Sequence, residues 1–587
     1  LGYSDDEHGF VFSPQSSAKT KIRFPSPDTI FQLWDAFVEN FDPLTKIVHI
    51  PTLRPAFEKA SSSIPNIPRN FQALMFAIFG AAVLTLKDDD CQRRFNETRR
   101  SMLSRYTSAT ETALSLAKFM ATNSLVVLQA LVIHIYAVRD IYEPRTIWTL
   151  TGVAVRIAQG IGLDRDGTIL GLSPFDTEIR RRIWWQLKSH DFRAAELCGL
   201  AKFRDLSTTP ESTKWPANIN DVDLHPLMTS LEPVVTGLTD ASFIAFKFEM
   251  TNFAASRIAA FRKLGKDPSE WNLDTPDNDR AETKSATETL EETLEMKYLR
   301  YCDASRPLHL LLLLVGRYGM NIVTFLTHHP RRWTTMEHVP QSERVLVWDV
   351  SIKLLEQYNM QQSTPLLEPF SWHAPYFQAW HAFIHVLDTL KAEPLRPDAA
   401  KSWQLVGSIY DNTADLVTDL KKPIHVAIGN LCLKAYSTRE AALLKSNKYL
   451  APAPNFISQL RQRREAAIKK REAHNENATR RSKPLVHEAD LRQVPDIGHS
   501  DLRLQAPISR NIGTHDLPYS AQAASTNKDH LYLFDFFENN DDADMYMDLD
   551  FTLPEDYSME NYMPEPINWE QWDTWLADSN LMRSSSS

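Results

Sequence analysis

From about residue 27 to residue 450, apolar residues recur at three- and four-residue spacing. Phe71, Leu74, Met75, Ile78 and Phe79 form one such stripe, Leu125, Leu128, Val132 and Ile135 a second, and Ile147, Leu150, Ala154, Ile157 and Ile161 a third. Each series falls on one face of a helix with 3.6 residues per turn. Hairpin signals are scarce, and no internal repeat of fixed period is apparent. The pattern predicts an all-α fold: a large helical domain over 27–450, flanked by a polar linker at 1–26. A second helical block starts near residue 289 and includes Trp372 to Phe377 and Trp380 to Leu390. The polar stretch 264–288, rich in Asp, Glu, Thr and Pro, is expected to loop out between the blocks. Residues 451–528 read as a basic and polar, disordered linker, and 529–587 as an acidic tail.

Length and charge refine this picture. A chain of 587 residues is too long for one ordinary core, and 43% hydrophobic content suffices for a substantial one. From Asp529 to Met582 there are fifteen Asp or Glu and no Lys or Arg, so removing that block from the net charge of -10 leaves the rest near +5. The acidity is local and does not describe the whole molecule. Cys91, Cys198, Cys302 and Cys432 are too far apart for a zinc ribbon, finger or disulfide framework, and their scatter fits a reducing compartment. The N-terminus lacks a signal-peptide pattern. Leu308 to Leu326 is apolar enough to suggest a membrane span, but His309, Arg317 and Asn321 within it favour a buried helix, and no membrane partner is expected.

Motifs of enzyme chemistry are absent: no Gly-x-Ser-x-Gly elbow and no Walker lysine occurs, and no catalytic residues are assigned. Gly160, Gly162 and Gly167 follow a helix rather than a strand, so helix termination is the simpler reading than phosphate binding. His381 and His385 stand at i, i+4, but the apolar residues around them describe a packed helix, and no metal ligands are assigned. The run Arg180-Arg181-Arg182 cannot form one flat phosphate-binding patch, because successive helical residues point about 100° apart. Intramolecular pairing is the better expectation, with one of the three reaching Asp191 or Asp164 and pinning the neighbouring loop.

Gly160-Ile161-Gly162-Leu163-Asp164-Arg165-Asp166, then Phe175 through Arg180-Arg181-Arg182, Trp184-Trp185 and Asp191, resembles the middle regulatory region of fungal zinc-cluster transcription factors. Phe31 to Trp34, Pro43-Leu44, His49-Ile50-Pro51-Thr52 and Trp215 to Asp221 extend the resemblance across roughly residues 27 to 450. It marks Gly162, Leu163, Arg165, Asp166, Arg180, Arg181, Arg182, Trp184, Trp185 and Asp191 as the family signature. Where that family often has glycine-arginine-proline after the aspartate, this chain reads Cys198-Gly199-Leu200-Ala201. The family's binuclear cluster needs six closely spaced cysteines, which these four cannot supply. The chain opens on Leu1, so zinc is expected only if a cysteine cluster lies upstream of it, and direct DNA contact only through such a segment or a partner.

The resemblance implies a nuclear transcription regulator, an activator of a metabolic or secondary-metabolite gene cluster, able to form a homodimer. Two features of the sequence support it independently. Lys469, Lys470, Arg471, Arg480, Arg481 and Lys483 form basic clusters suited to nuclear import, although a solvated basic helix explains them equally well. In the tail, Phe534, Phe536, Phe537, Trp569, Trp572, Trp575 and Leu576 are interleaved with carboxylates. Repulsion among the carboxylates opposes collapse and keeps these anchors available to the transcription machinery or a coactivator. Folding of the tail back on the helical domain is the alternative. Two other functions stay open: a coregulator recruited by a DNA-binding partner, and a helical metabolite-binding protein or enzyme.

Overall fold

The structure is a computed structural model that describes residues 22–197, 212–263, 277–328, 339–377, 380–413, 415–418, 423–447, 449 and 452–481. Its helices are, in order, α1 (Pro27–Ala36), α2 (Asp42–Thr45), α3 (Ile50–Ser62), α4 (Arg69–Thr85), α5 (Asp88–Phe95), α6 (Arg99–Leu116), α7 (Leu125–Val138), α8 (Pro144–Gly160) and α9 (Pro174–Leu197). There follow α10 (Ser242–Lys263), α11 (Asp277–Lys297), α12 (Pro307–His328), α13 (Gln341–Ser363), α14 (Trp380–Ala392), α15 (Ala399–Asn412), α16 (Asp415–Thr418), α17 (Pro423–Lys445) and α18 (Asn455–Arg481). Among the described residues no strand forms, and the fold is all-α; one isolated β-bridge joins Arg165 to Ser212.

Two compact units are distinguished, Leu1–Ala414 with Lys434–Leu450, and Asp415–Leu433 with Ala451–Ser587. The first is built around α4, which packs against α1, α6 and α7. Residues 73–85 of α4 are buried all round, so it behaves as a central core helix rather than an amphipathic surface one. Phe76, Phe79, Phe57, Tyr106 and Tyr136 lie within this core; burying one such side chain stabilises by roughly 1.5–3 kcal/mol. Entry to α1 is set by Ser26, whose Oγ accepts from the Thr29 amide at 3.3 Å, with Pro27 at the first helical position. The end of the expected N-terminal linker is part of this unit, since Phe24 packs its ring 4.6 Å from that of Phe76.

Three expectations change. The polar stretch expected to loop out is helical from Asp277 onward, because Leu290 and Leu294 of α11 give it a buried stripe; residues 264–276 lie outside the described residues. The expected disordered linker contains α18, whose Phe456, Ile457 and Leu460 are buried. A Cβ on Gly429 of α17 would lie 3.2 Å from Leu460, which shows how closely the second unit's helices approach. The expected second helical block does not stay within one unit to residue 450, since Asp415–Leu433 belongs with the second unit.

Helix α12 contains the described stretch long and apolar enough to cross a membrane, Pro307–Phe325. It packs against α13 with Leu311, Leu312, Val315, Tyr318 and Phe325 buried. Its Asn321 donates to Gln357 Oε1 at 3.0 Å, so its polar group is satisfied within the protein.

Candidate functional site

Most of the expected signature residues meet where α8 ends and α9 begins, while Asp191 lies farther along α9. Helix α8 closes at Gly160 in a Schellman motif: the Gly162 amide donates to Gln159 O and the Leu163 amide to Ala158 O, both at 2.9 Å. Gly162 has φ +82°, in the left-handed region that favours glycine, and Leu163 is sealed in the core. The loop then turns under α9, whose start is capped by Ser173 Oγ accepting from the Asp176 amide at 3.1 Å.

The three arginines diverge, as helical geometry requires. Arg180 donates to Ile161 O at 3.0 Å and holds the helix end. Arg181 grips Asp166 through two parallel bonds, Nε to Oδ2 and Nη2 to Oδ1, each 2.8 Å. The expected partners Asp164 and Asp191 are corrected by this geometry: Asp166 is the carboxylate turned towards α9, while Asp191 stands 3.7 Å from Lys188. Asp166 also accepts from Thr168 Oγ1 at 2.6 Å and the Lys214 amide at 2.9 Å. Burial alone would raise its pKa, but Arg181, Thr168 and the Lys214 amide outweigh that and hold it well below the usual carboxylate range.

Arg182 is fully buried and leads into a second cluster. Its Nε donates to Glu178 Oε1 at 3.1 Å and its Nη1 to Asp221 Oδ1 at 2.6 Å. The other Asp221 oxygen accepts from Lys46 Nζ at 2.8 Å, and Lys46 reaches Asp42 Oδ2 at the same distance. His49 Nε2 donates to the Asp221 carbonyl at 2.8 Å, and Ala217 N donates to both Glu178 oxygens at 3.1 Å. Three carboxylates thus face two cations. Burial raises Asp42 to about 6 despite Lys46, with the neighbouring Asp221 charge adding to the rise. Burial likewise pushes Asp221 up, but Lys46 and Arg182 overcome it and hold it low. Lys46 adopts φ +47°, a backbone strain compensated by its two ion pairs.

Trp185 completes the junction. Its ring stacks on Trp215 at 3.8 Å, and its Nε1 donates to Lys214 O at 2.8 Å. Trp184 is buried, with Lys188 Nζ 6.0 Å from its ring centre, and Arg165 makes the bridge to Ser212. The signature is therefore an ionic and aromatic lock that joins α2, α9 and residues 212–221. Asp42 and Lys46 lie outside every motif in the sequence, although they have the i, i+4 spacing of a helical ion pair; Glu178 is one of the acids beside the arginine run, and Asp221 ends the segment Trp215 to Asp221 that extends the resemblance.

The other sequence assignments lie apart from this lock. His385 packs beside Phe325 with ring centres 6.3 Å apart, and burial lowers its pKa to about 4. Cys91 and Cys432 are buried, Cys302 is half-buried, and Cys198 lies outside the described residues. Lys469 is exposed on α18, which also carries Lys470, Arg471, Arg480 and Arg481. Lys483 and the tail residues Phe534, Phe536, Phe537, Trp569, Trp572, Trp575 and Leu576 lie outside the described residues.

Residues 34–199 match the fungal specific transcription factor domain, and this chain carries that domain. It is similar to the aurofusarin cluster transcription factor of Gibberella zeae, 31% identical over 434 residues, covering 74% of this chain and 63% of that protein. The transcriptional regulator AacuB of Aspergillus aculeatus is 28% identical over 440 residues, covering 74% of this chain and 58% of its own length. The pyriculol/pyriculariol biosynthesis cluster transcription factor 1 of Pyricularia oryzae is 28% identical over 468 residues, covering 76% and 60%. The chain spans about three fifths of the length of these relatives. The domain description and these names are those of transcription regulators, not enzymes.

Proposed function

We propose that this protein is a nuclear transcription activator of a secondary-metabolite gene cluster. The observation that carries this reading is its similarity over 434 residues to a cluster transcription factor, including the matched regulatory domain. In this reading the helical region restrains or releases the acidic tail in response to a small molecule or second protein. The alternation of aromatic residues and carboxylates along the tail sequence supports docking of Phe534, Phe536, Phe537, Trp569, Trp572, Trp575 and Leu576 into a coactivator groove. The basic residues from Lys469 to Lys483 support nuclear import.

DNA is reached through a segment preceding Leu1, which would hold the zinc, or through a DNA-binding partner; homodimerisation is compatible with either route. An in-frame six-cysteine run upstream would support the first. The scatter of the four cysteines in this chain favours keeping the recruited coregulator as a second reading. Deletion of the gene followed by transcript profiling tests the function: one biosynthetic cluster should fall silent. Complementation with Trp569→Ala, Trp572→Ala and Trp575→Ala together should leave it silent while the protein accumulates. Unchanged cluster transcripts in the deletion strain would overturn the proposal.

A further inference from the structure

Charge is segregated along the sequence of the second unit. Helix α18 carries eight Lys or Arg against three Glu, and the segment 482–528 carries five residues of each sign. Asp529 to Met582 then carries fifteen Asp or Glu and no Lys or Arg. A basic block, a neutral spacer and an acidic block follow one another in a single chain.

Within α18 the charges are also sorted by side. Phe456, Ile457 and Leu460 bury one side of its first turns. Advancing about 100° per residue, Arg463, Arg464, Lys470, Arg471 and Arg481 hold positions on that same side, whereas Glu465, Glu472 and Glu476 hold positions on the other. No described side chain of α18 beyond Leu460 is buried, and Lys469 is exposed. The side that begins as an apolar anchor therefore continues as a cationic stripe about 27 Å long. Five cations gathered on one side repel one another and favour an anionic partner.

We propose that this stripe docks the acidic tail of the same chain. The tail has the opposite charge in excess, and it is within reach: a spacer of about 47 residues has a contour of up to about 160 Å, several times the roughly 40 Å length of α18. Tethering in one chain raises the local concentration of the tail to the order of millimolar, an advantage that no separate polyanion has. Ion pairs on an accessible helix side weaken as salt shortens the screening length, so the contact is salt-sensitive. For its regulatory meaning the contact rests on the activator reading: a docked tail withholds its aromatic anchors from a coactivator, and a displaced tail presents them.

Carbodiimide crosslinking of the full chain, which joins lysine amines directly to carboxylates, tests this with peptide mass spectrometry as the readout. At low salt Lys469 and Lys470 should join carboxylates between Asp529 and Asp578 about tenfold more often than the exposed Lys59 and Lys401 do, and about 0.5 M sodium chloride should remove the excess. In a mixture of unlabelled and isotope-labelled chains the crosslinks should stay within one isotope. Arg463→Gln, Arg471→Gln and Arg481→Gln together keep both lysines and should lower the yield severalfold; the salt and isotope comparisons on the wild type decide if that variant fails to fold. Equal yields from all four lysines, or an excess that survives salt, would overturn the docking. Mixed-isotope crosslinks alone would assign the stripe to the tail of a second copy and overturn the contact within one chain. Protection of Lys469 and Lys470 from acetylation by a duplex oligonucleotide, with no tail crosslinks in its absence, would give the stripe to nucleic acid and overturn the proposal. Crosslinks as expected in a protein whose deletion leaves cluster transcripts unchanged would support the contact and sink only the activator reading.

Discussion

Arg181 and Asp166 are joined by two parallel 2.8 Å hydrogen bonds, fastening the loop after α8 to the first half of α9. Both groups are buried, so removing one strands the other away from water. Arg181→Met and Asp166→Asn should each lower unfolding free energy by about 3–5 kcal/mol, the range for a broken buried pair. Arg181→Lys keeps the charge but loses the fork and should fall between wild type and Arg181→Met. Urea unfolding followed by tryptophan fluorescence measures the series, and a neutral Asp166→Asn would refute the lock.

Asp221 and Asp42 both contact Lys46 but should respond differently to the same chemical change. Asp221 joins Lys46 at 2.8 Å to Arg182 at 2.6 Å, so Asp221→Asn leaves two buried cations short of charge. Its cost should be about 3–5 kcal/mol. Asp42 is the surplus acid, with its Oδ1 buried and without a hydrogen-bond partner among the described residues. Asp42→Asn removes that excess while Lys46 keeps Asp221, and should cost less than half as much in the same unfolding experiment.

The divergence of the three arginines was legible in sequence because 100° per residue is local helix geometry. Their partners were not. Asp164 and Asp166 are two positions apart, and the path between Gly162 and Gly167 decides which carboxylate faces Arg181. Lys46 meets Asp221 across 175 positions, a contact created by tertiary packing. The apolar stripes of α4, α7 and α8 were readable because each recurs with the helical period. In α18 the basic residues hid a short buried stripe, Phe456, Ile457 and Leu460, that was enough to order a helix.

Two glycines in this loop should separate backbone strain from steric closeness. Gly162→Ala brings the new methyl into ordinary contact with Leu170 Cδ1 at 3.7 Å but places a non-glycine residue at φ +82°, for an expected loss of about 1–2 kcal/mol. At Gly167 a Cβ would lie 2.9 Å from the Thr177 Cα on α9, an approach to backbone that no rotamer change can relieve. Gly167→Ala should therefore displace the loop, weaken the Arg181–Asp166 contact and cost more. Thermal unfolding of both variants checks the order; a larger loss for Gly162→Ala would contradict it.

Acid should destabilise the first unit in two stages. Burial lowers His134 and His385 to about 4, His190 to about 3 and His373 well below its ordinary value. As pH falls through 6.5 the unfolded chain takes up these protons and the folded chain does not, so each histidine reduces stability by up to about 1.4 kcal/mol per pH unit. Below about 6 the opposite contribution begins: burial raises Asp42 and Asp388 to about 6, and the folded chain binds their protons before the unfolded chain does. Asp166 and Asp221 have depressed pKa values, so the stability they contribute persists above the unfolded carboxylate value near 4 and is lost below it. Melting temperature should drop from pH 7 down to 4, less steeply between 6 and 4 than the four histidines alone would make it, and drop further below 4. Asp42→Asn should steepen the middle segment by removing one compensating proton, and a middle segment unchanged in that variant would reject the assignment of Asp42.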